Sequence, residues 1–279
     1  MKKFYFLLAG VCLYCSSFAQ TDTSVNKTQQ NDTIRIGTMI IVKKRKTNPN
    51  SNNNGSTTVT IEKKRSRPSD VVTNWGIVDL GFNNYTDNTN YASAQAQQFA
   101  PGSNENWFKL HNGKSVNVNI WFFMQRRNLI GHVVNLKYGL GLELNNYRYE
   151  SNIRFKENPA SVYMDNITYH KNKLAADYLT VPLMLDFNLT PGKKNNKSFG
   201  LSAGVSAGYL YSSRQKVISS QTGKVKVKDN FDLRNYKLSY VAELHMGPVK
   251  LYGSLATQSM FEKGLDQTPY NVGIRLGKL

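Results

Sequence analysis

Alternation at a period of two is the feature that most restricts this chain. Across residues 75–279, eight segments place apolar residues at every second position. In VNLKYGLGLELNN (residues 134–146) the apolar set is Val134, Leu136, Tyr138, Leu140, Leu142 and Leu144. The set between them is Asn135, Lys137, Gly139, Gly141, Glu143 and Asn145. Successive side chains of a strand point to opposite faces, so the pattern specifies a β-strand with one apolar and one polar face. It leaves open which face is inside, and a soluble sheet and a membrane barrel differ on that point.

The other segments are WGIVDLGFN, SVNVNIWFFMQ, YLTVPLMLDFNL, SFGLSAGVSAGYLY, YKLSYVAELHM, PVKLYGSLATQ and YNVGIRLGKL. In the second, Val116, Val118, Ile120, Phe122 and Met124 stand opposite Asn117, Asn119, Trp121 and Gln125. Eight is an even number, as closed antiparallel outer-membrane barrels require, and long and short connections alternate between the segments. A soluble barrel of the lipocalin kind also alternates, with its apolar face inward. Four features argue for the inverted arrangement.

First, the polar face is poor in Lys and Glu and rich in glycine, which suits the crowded lumen of an eight-stranded barrel. Its charges, Asp79, Lys137, Glu143, Asp186, Lys237, Glu243 and Arg275, are mixed in sign and so able to neutralise one another. Second, aromatic residues gather at strand ends as two girdles. Tyr85, Tyr147, Tyr149, Tyr178, Tyr209, Tyr211, Tyr236 and Tyr270 are assigned to the external rim, and Trp75, Phe122, Phe187 and Phe199 to the periplasmic one. Third, each segment is about the 9–11 residues that a tilted strand needs to cross a bilayer. Fourth, the chain ends inside its last strand, so no extra helix is expected to plug or cap the barrel. The expected fold is all-β: an eight-stranded antiparallel transmembrane β-barrel with a short, partly disordered N-terminal periplasmic segment.

The first twenty residues, MKKFYFLLAGVCLYCSSFAQ, have a basic start at Lys2 and Lys3, an apolar stretch, and a small-x-small site at Ser17-Phe18-Ala19. They read as a secretory signal peptide over residues 1–19. Both cysteines, Cys12 and Cys15, fall within it, so the mature chain has no thiol for disulfides, nucleophilic catalysis or metal binding. Residues 20–72 are expected to form a basic periplasmic leader and linker ahead of a barrel over 73–279. Its segments TIRIGTMIIVKKRK and TTVTIEKKR, either side of the Asn-rich TNPNSNNNGS, could pair as a hairpin or form a mobile tail. The whole chain carries 36 Lys+Arg against 18 Asp+Glu, and losing Lys2 and Lys3 lowers its formal charge from +18 to +16. Such an excess could attract lipopolysaccharide phosphates, acidic polymers or nucleic acid, or simply solubilise tails and loops. The scatter of the charge favours the last.

A signal peptide, a short leader and eight strands ending in YNVGIRLGKL resemble the outer-membrane β-barrel families of Gram-negative bacteria, of the PorT-like and OmpA/OmpX type. The resemblance covers residues 75–279 and rests on pattern. It implies an outer-membrane location and a final strand similar to the terminal signal read by the barrel-assembly machinery. That signal ordinarily ends in an aromatic residue, and Leu279 departs from it.

Little chemistry is legible. There is no phosphate-cradling glycine motif, and His111, His132, His170 and His245 show no metal-ligand spacing. No catalytic residue, cofactor or metal is assigned. Ser239, Glu243 and His245 share a strand face, which is thin support for a lipid-modifying acyl-transfer enzyme. Asp79 and Arg275 lie mid-strand in the first and last segments, which must pair to close the barrel, and are expected to join a structural ion-pair cluster in the lumen. Arg214, Lys216, Lys224, Lys226 and Lys228 form a basic loop region that could contact lipopolysaccharide phosphates. The function expected is a non-enzymatic outer-membrane barrel with a structural, adhesive or accessory role and no nucleic-acid partner; a protein partner could meet the leader or the external loops. A small-solute channel and a lipid-modifying enzyme are the alternatives.

Overall fold

The computed structural model describes residues 69–191 and 198–277 in full, together with the backbone of 32–36, 39–45 and 57–63. The expected signal peptide, the disorder expected in the leader, and Leu279 lie outside these residues. The chain divides into two compact units, residues 1–68 and 69–279. In the first, β1 (Asp32–Ile36), β2 (Met39–Arg45) and β3 (Thr57–Lys63) form an antiparallel sheet in that order. β2 and β3, from the segments flanking the Asn-rich stretch, pair from Met39–Lys63 to Arg45–Thr57.

The second unit is the barrel. Its elements in chain order are β4 (Val71–Asp87), α1 (Ala94–Phe99), β5 (Val116–Ile130), β6 (Val134–Tyr149), β7 (Ile153–Lys156), β8 (Ser161–Met164), β9 (Lys171–Asn188), β10 (Phe199–Ser219), β11 (Gly223–Val227), β12 (Tyr236–Met246), β13 (Val249–Ala256) and β14 (Gln267–Leu276). Strands β4, β5, β6, β9, β10, β12, β13 and β14 pair antiparallel in sequence, and β14 returns to β4, so the sheet closes into an eight-stranded ring. Closure leaves no edge strand whose backbone groups would lack partners in lipid.

Connections at one end are short. Val133 N–H donates to Ile130 O (2.9 Å) across Gly131 and His132, both of positive φ, as a type I′ turn between twisted strands requires. At the opposite end run the long connections over residues 88–115, 150–170, 220–235 and 257–266.

The apolar face is outside. Leu80, Phe82, Leu179, Val181, Leu183, Leu185, Leu238, Tyr240, Val272 and Ile274 are all exposed, and together they form a continuous belt around the ring. Along β9 the belt runs from Leu179 to Phe187. At about 3.3 Å per residue and a tilt of about 40°, that is roughly 20 Å of height, close to the apolar band of a membrane barrel. A soluble monomer rarely exposes so large an apolar surface.

Three bulges interrupt the alternation, one of them at Leu129 beside the short β5–β6 turn, where Asn128 pairs with Asn135 but Ile130 with Val134. Trp121 pairs with Gly141 but Phe123 with Leu140, so Phe122 is an extra residue in β5. Beside it in β4, Gly76 has φ +65, which glycine adopts without a Cβ penalty. The third bulge follows Leu210: Leu210 pairs with Tyr178 but Ser212 with Asp177. Each bulge flips the parity of the residues beyond it. Met124, assigned by alternation to the apolar outer face, is therefore fully buried inside, where it packs with Ile77, Trp121 and Met184.

The aromatic girdle also needs correction. Tyr209, Tyr211, Tyr236 and Tyr270 are exposed outside at the long-loop end, and Trp75, Phe122, Phe187 and Phe199 at the short-turn end. Tyr147, Tyr149 and Tyr178, however, are each only 2% exposed, and Tyr85 packs against the same cluster. These four point inward. With Phe99 and Phe108 from the first long loop, Phe155 and Val162 from the second, Phe231 and Leu233 from the third, and Phe261 and Leu265 from the fourth, they build an apolar core over the barrel mouth. Phe155 stacks on Phe261 (ring centroids 6.1 Å), and Phe99 meets Phe261 edge-on (5.7 Å). The mouth is thus capped by the loops themselves, including a short helix, α1.

Candidate functional site

The barrel interior brings together the charges of the polar face. Asp79 of β4 and Arg275 of β14 are register partners across the closing pair. Arg275 grips the Asp79 carboxylate with two bonds, Nε to Oδ1 (2.6 Å) and Nη2 to Oδ2 (2.8 Å), the bidentate geometry that suits guanidinium to carboxylate. Trp121 Nε1 donates to the same carboxylate (2.7 Å). The third guanidinium nitrogen donates to Glu243, whose other oxygen accepts from Lys137.

A second centre forms around Glu143. Lys237 donates to it, as do Asn145 Nδ2 (3.2 Å) and Asn271 Nδ2 (3.3 Å). The two centres are joined: Asn145 accepts from Asn117 (2.9 Å), Asn117 donates to Asn119 (3.0 Å), and Asn119 donates to Asp79 (3.3 Å).

The third centre is Asp186, toward the short turns, which accepts from Ser202 Oγ (2.8 Å) and Asn135 Nδ2 (3.0 Å). His245 links it to the rest, with Nε2 3.4 Å from Glu243 Oε2, 3.2 Å from Ser202 Oγ and 3.8 Å from Asp186 Oδ1. Asp79, Lys137, Glu143, Asp186, Lys237, Glu243 and Arg275 therefore belong to one connected network.

That set holds four carboxylates, Asp79, Glu143, Asp186 and Glu243, but only three fixed cations. A fourth that pairs with the set is Arg126, whose Nη1 lies 3.9 Å from Asp186 Oδ2. Lys250 of β13, opposite His245, is a further buried cation, bonded to Gly277 O (2.9 Å). Sequence reasoning missed Arg126 because the bulge at Phe122 turns it inward and leaves Arg127 exposed. Continued alternation would place Arg127 inside instead. Mixed sign and dense hydrogen bonding make the burial of these charges tolerable: Asp79 is 0% and Lys137 1% exposed, and either alone in a low-dielectric lumen would be costly.

The network fills its space. The mid-lumen cavity bordered by Asp79, Glu143, Met184, Glu243, Tyr252 and Arg275 measures about 30 Å³. Among the described residues, no group of three or more His, Asp or Glu side chains is arranged to hold a metal ion.

Acyl-transfer geometry is not what these side chains adopt. Ser239, the hydroxyl considered from sequence, is buried without a hydrogen bond and not joined to His245. Ser202 does reach His245, but its hydroxyl, Asp186 and Glu243 all converge on Nε2. A relay needs nucleophile and orienting acid on opposite ring nitrogens. The other histidines stand apart: His111 beside Glu150 (3.5 Å), His132 beside Asp70 (3.7 Å), and His170 on Ser220 (2.8 Å).

Outside the lumen, Arg214 pairs with Asp177, and Lys216, Lys224 and Lys226 line the outer side of the β10–β11 hairpin, with Lys228 exposed just beyond it.

Residues 74–247 match the family model described as outer membrane protein beta-barrel domain. The chain belongs to this family of outer-membrane β-barrels. The match takes in the strands from β4 to β12, and β13 and β14 complete the ring beyond it. No curated protein matches the chain. Family and fold agree that this is an integral outer-membrane barrel protein, whose ion network lies inside the wall and whose apolar belt faces lipid.

Proposed function

We propose that this barrel is a closed, non-enzymatic element of the outer membrane with a structural, adhesive or accessory role in the envelope, reached through a signal peptide and inserted by the barrel-assembly machinery. The observation that carries the reading is the filled lumen. A mid-lumen cavity of about 30 Å³ leaves room for about two water molecules, far from a continuous aqueous path. The loop cap lies in series with it. A small-solute channel would need both obstructions removed, and a lipid-modifying enzyme would need a nucleophile accessible to lipid, whereas Ser202 is fully buried. A partner protein would meet the leader or the outer loops.

Planar-bilayer recording tests the reading. The refolded protein is expected to show no unitary conductance, and its deletion is expected to leave lipid A and phospholipid profiles unchanged. Steady single-channel steps would overturn the closed state. A changed lipid profile, restored by wild type but not by His245→Ala, would overturn the non-enzymatic role. Purification from native membranes with a stable partner bound would favour the accessory role over a purely structural one.

A further inference from the structure

The outer wall above the apolar belt carries a cationic surface that the lumen network does not use. Its placement depends on the bulge after Leu210. Beyond that point Val217 turns inward and is fully buried, while Arg214 and Lys216 turn outward. An unbulged β10 would send these cations into an apolar core.

Register then aligns them. Arg148 of β6 lies opposite Lys173 of β9, Lys173 opposite Lys216 of β10, and Lys216 opposite Lys226 of β11. Four adjacent strands thus present four cations in one row, about 14 Å wide at the usual strand spacing. One step further along, Lys171 and Lys224 flank Ile218. None of these six forms an ion pair among the described residues; the only acid bonded nearby is Asp177, held by Arg214.

Like charges directly opposite one another destabilise a sheet, and here three such pairs follow in succession. The ammonium groups register the crowding. Lys224 above all, with burial and Lys171 behind it, lowers the pKa of Lys216; burial first, then Lys171, Arg214 and Lys216, lowers that of Lys173. A row of this kind is relieved by a multivalent anion lying across it.

Its height and direction indicate which anion. Tyr209 and Tyr211 stand exposed at the top of the belt on β10, and Lys216 is five residues beyond Tyr211. That is about 16 Å along the strand and roughly 12 Å of height at the tilt of a barrel, above acyl chains and level with a lipid's sugar headgroup. The cations point sideways from the wall, where neighbouring lipid stands, and not up from the loop tips, where a soluble ligand would arrive.

We infer that the row Arg148–Lys173–Lys216–Lys226, with Lys171 and Lys224, is a docking surface for the phosphate-bearing saccharide headgroup of a surrounding lipopolysaccharide. The inference stands whether or not the lumen is closed.

The test uses the full-length protein in phosphatidylcholine vesicles containing rough lipopolysaccharide, the same lipopolysaccharide stripped of phosphate, or neither. Lipopolysaccharide retained through re-solubilisation and gel filtration is measured for wild type, for Lys173→Gln/Lys216→Gln/Lys226→Gln, and for a control with two exposed loop cations removed, Lys156→Gln/Lys263→Gln. Wild type and the control are expected to retain the phosphorylated lipid. The triple variant is expected to retain about tenfold less, the combined scale of a few exposed ion pairs, and wild type about tenfold less of the stripped lipid. Equal retention by wild type and triple variant overturns the proposal, as does equal retention of the two lipids or an equal loss in the control. Inorganic polyphosphate, if it displaces the lipid at equal phosphate concentration, assigns the surface to a soluble polyanion and likewise overturns it. Heat-modifiable migration verifies folding; should the triple variant not fold, Lys216→Gln and Lys226→Gln are compared singly by the same retention.

Discussion

The Asp79–Arg275–Glu243 bridge sets how much of the lumen depends on a single side chain. Arg275 donates to both carboxylates, and among the described residues Asp79 has no other cation within ion-pair reach. Arg275→Ala would leave a fully buried carboxylate without a counter-charge, which costs about 3–5 kcal/mol. The expected outcome is a lower temperature for loss of the fast-migrating folded band on gels. Arg275→Met combined with Asp79→Asn removes the charge and its partner together and leaves Glu243 on Lys137, so it should cost less than the sum of the two single changes by about 1 kcal/mol or more. An Arg275→Ala protein that melts like wild type would sink the idea of a stabilising network. At this scale the sequence was informative wherever strands alternate without a break. The seven charges are in phase with small or polar residues of their own strands: Asp79 with Gly81, Lys137 and Glu143 with Gly139, Asp186 with Thr180, Lys237 and Glu243 with Ser239, and Arg275 with Gly273. The same parity was available for the misassigned tyrosines: Tyr147 and Tyr149 are in phase with Glu143, Tyr178 with Thr180, and Tyr85 with Asp79, whereas Tyr209, Tyr236 and Tyr270 are in phase with the leucines and valines of the belt. Residue type suggested a girdle; phase located the cap.

At the scale of the strand, what alternation cannot convey is the bulge. Nothing in FFM or YLYSS announces an extra residue, since two consecutive outward side chains there are apolar or small and either phase is chemically acceptable. The consequence is that strands differ in their tolerance of length changes. Deleting Tyr211 takes out the extra residue of β10 and leaves Leu210 inward and Arg214 outward, so the faces are kept. Deleting Leu140 from β6, whose sixteen residues alternate without interruption, forces either Lys137 or Glu143 onto the lipid side. A charge at mid-membrane on that side costs about 2–4 kcal/mol, and the remaining partner is left unpaired within. The Tyr211 deletion is therefore expected to fold and show heat-modifiable migration, and the Leu140 deletion to fail. Equal failure of the two would show that the bulge is required for more than phase.

For the whole molecule, the barrel is obstructed twice, by chemically different means. The cap is an apolar core drawn from all four long loops, and it escaped sequence reading because its contacts join residues without periodicity from distant loops, such as Phe99 with Phe261. The lumen network is polar and was legible because it lies on the strands. Two obstructions in series make a specific prediction about conductance. Replacing residues 153–164, which carry β7 and β8, with a short polar turn takes Ile153, Phe155 and Val162 out of the cap yet leaves the mid-lumen contacts intact. That variant should remain silent in planar bilayers. Lys137→Ser/Glu243→Ser/Arg275→Ser removes two cations and one carboxylate from the network and widens the small central cavity, but the cap still covers the mouth, so it too should remain silent. Only their combination is expected to give small unitary steps. Conductance from either variant alone would assign the closure to a single seal, and silence from the folded combination would mean that the remaining side chains, Trp121, Met124, Met184 and Tyr252 among them, are sufficient to block an eight-stranded lumen.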